Sequence, residues 1–181
     1  MTDPLVTRTY LELKTPEQLH AVPLDRRVRV EHAAGCTVPF FRFLYGEVGR
    51  RYNWRDRLVW SDDQCRARIA APAVQIWVMY SEAMPAGYFE LEKHPDGAVE
   101  IVYFGLLPEF VARGLGKQML SAAAERAWEM NASRVWLHTC TLDNPAALPN
   151  YLKRGFTPFK TESYSVAAPH LAHVTEAPPP A

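Results

Sequence analysis

Val99 to Leu120, VEIVYFGLLPEFVARGLGKQML, is the stretch around which the rest of the chain reads. Val99, Ile101, Val102, Tyr103 and Phe104 form a β-branched and aromatic run suited to a buried strand. Pro108 ends it, having no N–H to give to a ladder. Arg113-Gly114-Leu115-Gly116 then opens a helix in which Leu115, Met119, Leu120, Ala123, Ala124, Ala127 and Trp128 keep to one face. The first turn of a helix carries unpaired N–H groups and partial positive charge, and glycine lets an anion approach the backbone closely. The expected feature is a pyrophosphate-sized anion on the amides from about Val111 to Lys117.

Two nucleotide motifs built on the same physics do not fit. There is no GxxxxGK[ST], and GxGxxG would need glycine where Met119 stands. The 181 residues have the length of about one domain, and nearly half are apolar, as a globular chain requires. Formal charge is zero, which argues against a broad nucleic-acid surface. No apolar run has the length of a membrane span, and residues 1–20 are too polar for a signal peptide. Three widely spaced cysteines, Cys36, Cys65 and Cys140, read as reduced thiols in a cytoplasm, without zinc spacing.

Outward from the central stretch, Val74–Tyr80, Gly87–Glu92 and Val99–Phe104 read as strands. Ser81–Ala86, with Pro85, and His94–Gly97 read as the turns of an antiparallel meander. Upstream, Thr7 to Leu13 alternates weakly, as an edge strand would. Residues 14–27, broken by Pro16 and Pro23, read as loop or short helix, and residues 28–38 give no clear signal. Pro39 to Tyr52 has near-helical spacing weakened by Gly46 and Gly49. Ser61 and Gln64 read as the capping box of a second helix running to about Ala70. Downstream, the long helix ends near Met130-Asn131, where Asn suits a left-handed cap. Arg134–Cys140 follows as a strand reached through a helix, hence parallel to the one before it. Ala146–Arg154 is a short helix stopped at Gly155, and Phe156–Val166 a last strand. Residues 1–166 therefore read as one domain, and the Pro/Ala-rich residues 167–181 as a flexible tail.

Val111-Ala112-Arg113-Gly114-Leu115-Gly116 resembles the acetyl-CoA loop of the GCN5-related N-acetyltransferases (GNAT family), [QR]-x-x-G-x-[GA] after a strand, with Val111 at the first position. Asn144, Ala147, Tyr151 and Gly155-Phe156 resemble the family's downstream N-x-x-A-x-x-x-Y-x-x-x-G-F segment with its spacing intact. The resemblance covers roughly residues 5–166. It implies an α+β acyl-CoA N-acyltransferase fold, a mixed, mostly antiparallel sheet flanked by helices with one parallel crossover. It also implies acetyl-CoA as co-substrate, no metal, direct transfer to a primary amine of a small molecule or peptide, and a possible homodimer. An acyl-CoA-binding module without turnover is the alternative. No nucleic-acid or membrane partner is expected.

The resemblance also assigns roles. Leu106, Leu107, Val111, Ala112, Arg113, Gly114, Leu115, Gly116 and Lys117 would hold the cofactor, its arm lying along Phe104–Leu107 like an added strand. Gly105 reads either as a bulge offering an N–H to the thioester oxygen or as a packing glycine, the bulge being favoured. Asn144 would hydrogen-bond the arm or cap the turn before Pro145. Tyr151 would be the general acid protonating the departing sulfur. Glu100 would be the base, with Glu90 or an ordered water as substitutes. His138 reads as structural, and Cys140 lacks an activating partner. Among the arginines and aromatics of residues 42–60, Trp54 and Arg55 are the acceptor-site candidates, with Tyr103 beside them. Such a pairing suits an amine that bears a carboxylate.

Overall fold

The structure is a computed structural model that describes residues 5–52 and 54–165. The expected tail at 167–181 lies outside the described residues. Seven strands form one sheet: β1 (Leu5–Leu13), β2 (Val28–His32), β3 (Val74–Ser81), β4 (Met84–Lys93), β5 (Val99–Leu106), β6 (Val135–Cys140) and β7 (Thr157–Ser165). Their spatial order is β2-β3-β4-β5-β6-β1-β7, antiparallel throughout except for β5 and β6. Four α-helices among the described residues complete the fold: α1 (Val38–Gly49), α2 (Asp62–Ile69), α3 (Leu115–Glu129) and α4 (Ala147–Lys153). This is the α+β architecture with one parallel crossover that the sequence leads one to expect.

Each face of the sheet has its own core. Along β3, Ile76 and Val78 join Phe41, Leu44 and Val48 of α1 and Cys65 of α2. The next residue over, Met79, turns the other way, toward Met119, Leu120, Ala123 and Ala127 of α3. A strand buried on both faces reads as a continuous apolar run, which is why VQIWVMY lacks alternation. The small residues of α3 let it lie close on β5, with Val99 and Ile101 beneath. Ser61 caps α2 as expected, its hydroxyl accepting from Gln64 N while Gln64 Oε1 accepts from Ser61 N. Asn131 takes a φ of 55° at the end of α3.

Two local expectations are corrected, and one stretch that gave no signal is assigned. β1 is an interior strand between β6 and β7, because its partners come from the far end of the chain. Pro85 lies inside β4 rather than in a turn. The turn is confined to Glu82 and Ala83, and a register shift beyond Met79 accommodates the ring. The unassigned residues 28–38 contain the edge strand β2, whose charged, exposed positions hide its pattern.

Candidate active site

The parallel pair decides where a ligand can enter. β5 and β6 pair only at Val99 with Val135 and at Glu100 with Trp136. Beyond those rungs both strands continue, β5 held by β4 and β6 by β1, but they no longer meet. A cavity of about 990 Å³ opens in the gap, lined along β5 from Ile101 to Leu106 and along β6 by Leu137, His138 and Cys140. That is room for a cofactor arm and a small acceptor together.

The turn before α3 closes one end. A short 3-10 turn at Pro108–Phe110 leads into Ala112 with a φ of 64° and Gly114 with a φ of 75°, after which the helix begins. Val111, Ala112, Gly114, Gly116 and Lys117 line the cavity, so the N-terminus of a 15-residue helix faces it. Leu106 is on the lining too. Leu107 and Leu115 are instead buried in the two cores, and the Arg113 guanidinium lies over the Phe110 ring at 5.1 Å. The two leucine side chains, being buried, leave only their backbone to a ligand. Arg8, Lys153 and Arg154 add positive charge to the wall, and the Nε atoms of Arg8 and Arg154 are buried without a hydrogen-bond partner among the described residues. The chemistry of this wall fits a polyanion such as the diphosphate of CoA.

Gly105 is a packing glycine. A Cβ there would drive into the Val48 side chain of α1, with Trp54 just beyond. The bulge in this strand falls at Val102, since Glu90 pairs with Tyr103 and Leu91 with Ile101. Asn144 lies on the lining, its Oδ1 accepting from Ala146 N at 2.9 Å and its Nδ2 donating to the Tyr52 hydroxyl at 2.9 Å. It is thus both the cap of its own turn and a cross-link to the loop after α1.

Tyr151 lies against Phe104 and Phe156 on the cavity wall, almost wholly buried. Burial, reinforced by the charge of Asp143, pushes its phenol well above the ordinary tyrosine value, so it stays protonated. The two candidate bases are elsewhere. Glu100 is not on the lining; its carboxylate lies 3.0 Å from His94 Nε2, and burial raises its pKa against the opposing pull of that imidazole. Glu90 is fully buried and accepts two bonds from Arg57, at 2.5 and 2.9 Å, and others from Arg68.

The acceptor candidates separate in the same way. Trp54 and Tyr103 line the cavity with ring centroids 4.7 Å apart, whereas Arg55 is not on the lining. Asp56 is on it, accepting from the Tyr45 hydroxyl at 2.6 Å and from the Tyr103 hydroxyl at 2.7 Å. The charge on the lining at this end is therefore a carboxylate, and the following residue, Arg57, is spent on Glu90.

The family model described as the acetyltransferase (GNAT) family matches residues 40–156. The chain belongs to the GNAT family. Among solved structures, this GNAT chain is similar to a GCN5-related N-acetyltransferase from Kribbella flavida, at 18% identity and a TM-score of 0.63 over 90% of this chain. The match covers 58% of the Kribbella chain, so the present sequence spans little more than half of that protein. It is similar as well to a spermidine N-acetyltransferase from Vibrio cholerae in complex with CoA and spermine, at 19% identity and a TM-score of 0.59, over 74% of this chain and 82% of that one. An aminoglycoside acetyltransferase from an uncultured soil metagenomic sample matches at 15% identity and a TM-score of 0.60, over 72% and 88% of the two chains. At these identities the likeness is one of fold. No curated protein matches the chain in sequence.

Asp56, Tyr52 and Asp143, with Arg8, Lys153 and Arg154, line the candidate site of this GNAT domain and were not among the residues that sequence reasoning singled out. Asp143 accepts from Thr139 Oγ1 at 2.7 Å and Cys140 N at 2.9 Å, fixing the loop that leads to Asn144. Asp56 had one available signal, a lone carboxylate two residues after Trp54 in an arginine-rich run. Among the described residues, no helix is long and apolar enough to cross a membrane.

Proposed function

We propose that the chain transfers an acetyl group from acetyl-CoA directly to a primary amine of a small molecule or peptide. The observation that carries this reading is the gap between β5 and β6, which opens at the N-terminus of α3 with the Tyr151 phenol on its wall. Acetyl-CoA would supply the thioester. The Val111–Lys117 turn would hold its diphosphate through backbone N–H groups, and the unpaired inner edge of β5 would hold its amide arm. The buried Tyr151 hydroxyl would donate its proton to the sulfur as the thiol leaves. Trp54, Asp56 and Tyr103 would position the amine. With Glu100 and Glu90 both engaged away from the lining, proton removal from the amine falls to water at the cavity mouth. An amine acceptor is further supported by the similarity to a spermidine N-acetyltransferase. The three free cysteines suit a reducing cytoplasm.

The test is thiol release from acetyl-CoA across a panel of primary amines, run alongside calorimetry with CoA. Tyr151→Phe should lower turnover about 10²- to 10⁴-fold with CoA affinity unchanged. CoA binding without release over any amine would leave the alternative, a binding module.

A further inference from the structure

We infer that Asp56, held between the Tyr45 and Tyr103 hydroxyls beside Trp54, is the seat for a second, cationic group of the acceptor, making the acceptor a diamine or polyamine. The inference rests on the acetyl-transfer reading above and specifies its substrate class.

At this end of the cavity the arginines packed beneath the lining are paired, whereas Asp56, on the lining, is not. Beneath the Tyr103 ring, the Arg57 guanidinium carbon lies 4.3 Å from the ring centroid. Arg57 and Arg68 are matched there by Glu90 and Glu92, in ion pairs of which all but the Glu92 carboxylate are largely out of water. Asp56 has no lysine, arginine or histidine within ion-pair distance among the described residues. Its two partners are neutral phenols, one on each oxygen. Burial, with donation to Asp56 next in size, raises the pKa of both tyrosines, so both remain donors and neither offsets the negative charge.

A carboxylate has about four lone-pair positions. The phenols take one on each oxygen and fix the plane of the group, leaving the others for a ligand. Trp54, 5.7 Å from Tyr45 and 4.7 Å from Tyr103 between ring centroids, adds a π-face on which a cation is favoured. The nitrogen that attacks the thioester must have its lone pair free. The positive charge that stays on Asp56 therefore belongs to a different nitrogen of the same molecule.

The experiment compares 1,4-diaminobutane with butylamine by kcat/KM, in the wild type, Asp56→Asn and Tyr103→Phe, with CoA affinity measured by calorimetry and folding checked by thermal melts. The expected result is a preference for the diamine of tenfold or more, falling with added salt, that Asp56→Asn abolishes and Tyr103→Phe reduces. CoA affinity should stay within twofold in both variants. Direct calorimetric titration of the diamine into the same proteins reads the seat apart from turnover, and Asp56→Asn should weaken that binding tenfold. Equal use of the two amines, or a diamine preference that survives Asp56→Asn, overturns the inference while leaving acetyl transfer standing. Loss of CoA binding in the wild type overturns the acetyl-transfer reading itself. If Asp56→Asn does not fold, the loss in Tyr103→Phe decides.

Discussion

Glu100 of β5 lies opposite Trp136 of β6 at the last rung the two parallel strands share. One residue further on, Ile101 and Leu137 already line a cavity. Backbone groups along both inner edges beyond that point have lost their ladder, and such groups need a partner from ligand or solvent. A ligand that satisfies them binds the folded chain and not the unfolded one. CoA at a hundred times its dissociation constant should then add about 2.7 kcal/mol of stability, or roughly 5–11 °C in Tm for a domain of this size. Differential scanning fluorimetry with and without CoA checks it, and an unmoved melt contradicts it.

Gly114 sits at a φ of 75° and a ψ of 5° as the N-cap of α3. A Cβ there would meet Lys117 Cε at 3.7 Å, an ordinary contact, so the obstacle to a side chain is the left-handed backbone itself. Gly114→Ala should cost about 1–2 kcal/mol, measured by chemical denaturation, and should weaken CoA binding because the strain falls on the turn that faces the cavity.

What the sequence conveyed and what it hid divide by range. The strand, glycine turn and helix from Val99 to Leu120 are read from neighbours along the chain, and so are the Ser61–Gln64 box and the left-handed Asn131. Most of the expected cofactor residues, with Tyr151, Asn144, Trp54 and Tyr103, come to one cavity. Arg55 does not, because it lies in the irregular loop between α1 and α2. Glu100 does not, because the direction of a strand side chain depends on register and bulges that a single sequence does not carry. The bulge at Val102 is such a case. The sequence shows Asp56 only as a carboxylate near Trp54, because Tyr45 on α1 and Tyr103 on β5 meet it only in three dimensions.

Gly105 and Val48 form a coupled pair. Gly105→Ala overfills the space under α1 and should destabilise by about 1–3 kcal/mol. Val48→Ala opens that space, so the double variant should recover part of the loss. A double-mutant cycle by urea denaturation measures the coupling, and strict additivity of the two effects contradicts the packing role.

Glu100 gives a pH prediction opposite to that for a catalytic base. Its pKa is raised above the ordinary carboxylate value, chiefly by burial and against His94. A raised carboxyl binds its proton more tightly when folded, so its contribution to stability is full below the ordinary value and is lost as pH climbs through the raised one. Glu100→Gln should therefore not reduce Tm at neutral pH beyond the loss of the His94 contact, and any gain over wild type should vanish in acid. Its kcat/KM should follow the wild-type pH profile throughout. A selective fall in activity below the pKa of the amine would restore Glu100 as the base.

The most direct measurement is a crystal structure of the chain with CoA. The account predicts the diphosphate on the amides between Val111 and Lys117, the arm between the parted ends of β5 and β6, and the sulfur within hydrogen-bond reach of the Tyr151 hydroxyl. CoA bound elsewhere, or a sulfur remote from Tyr151, would contradict it.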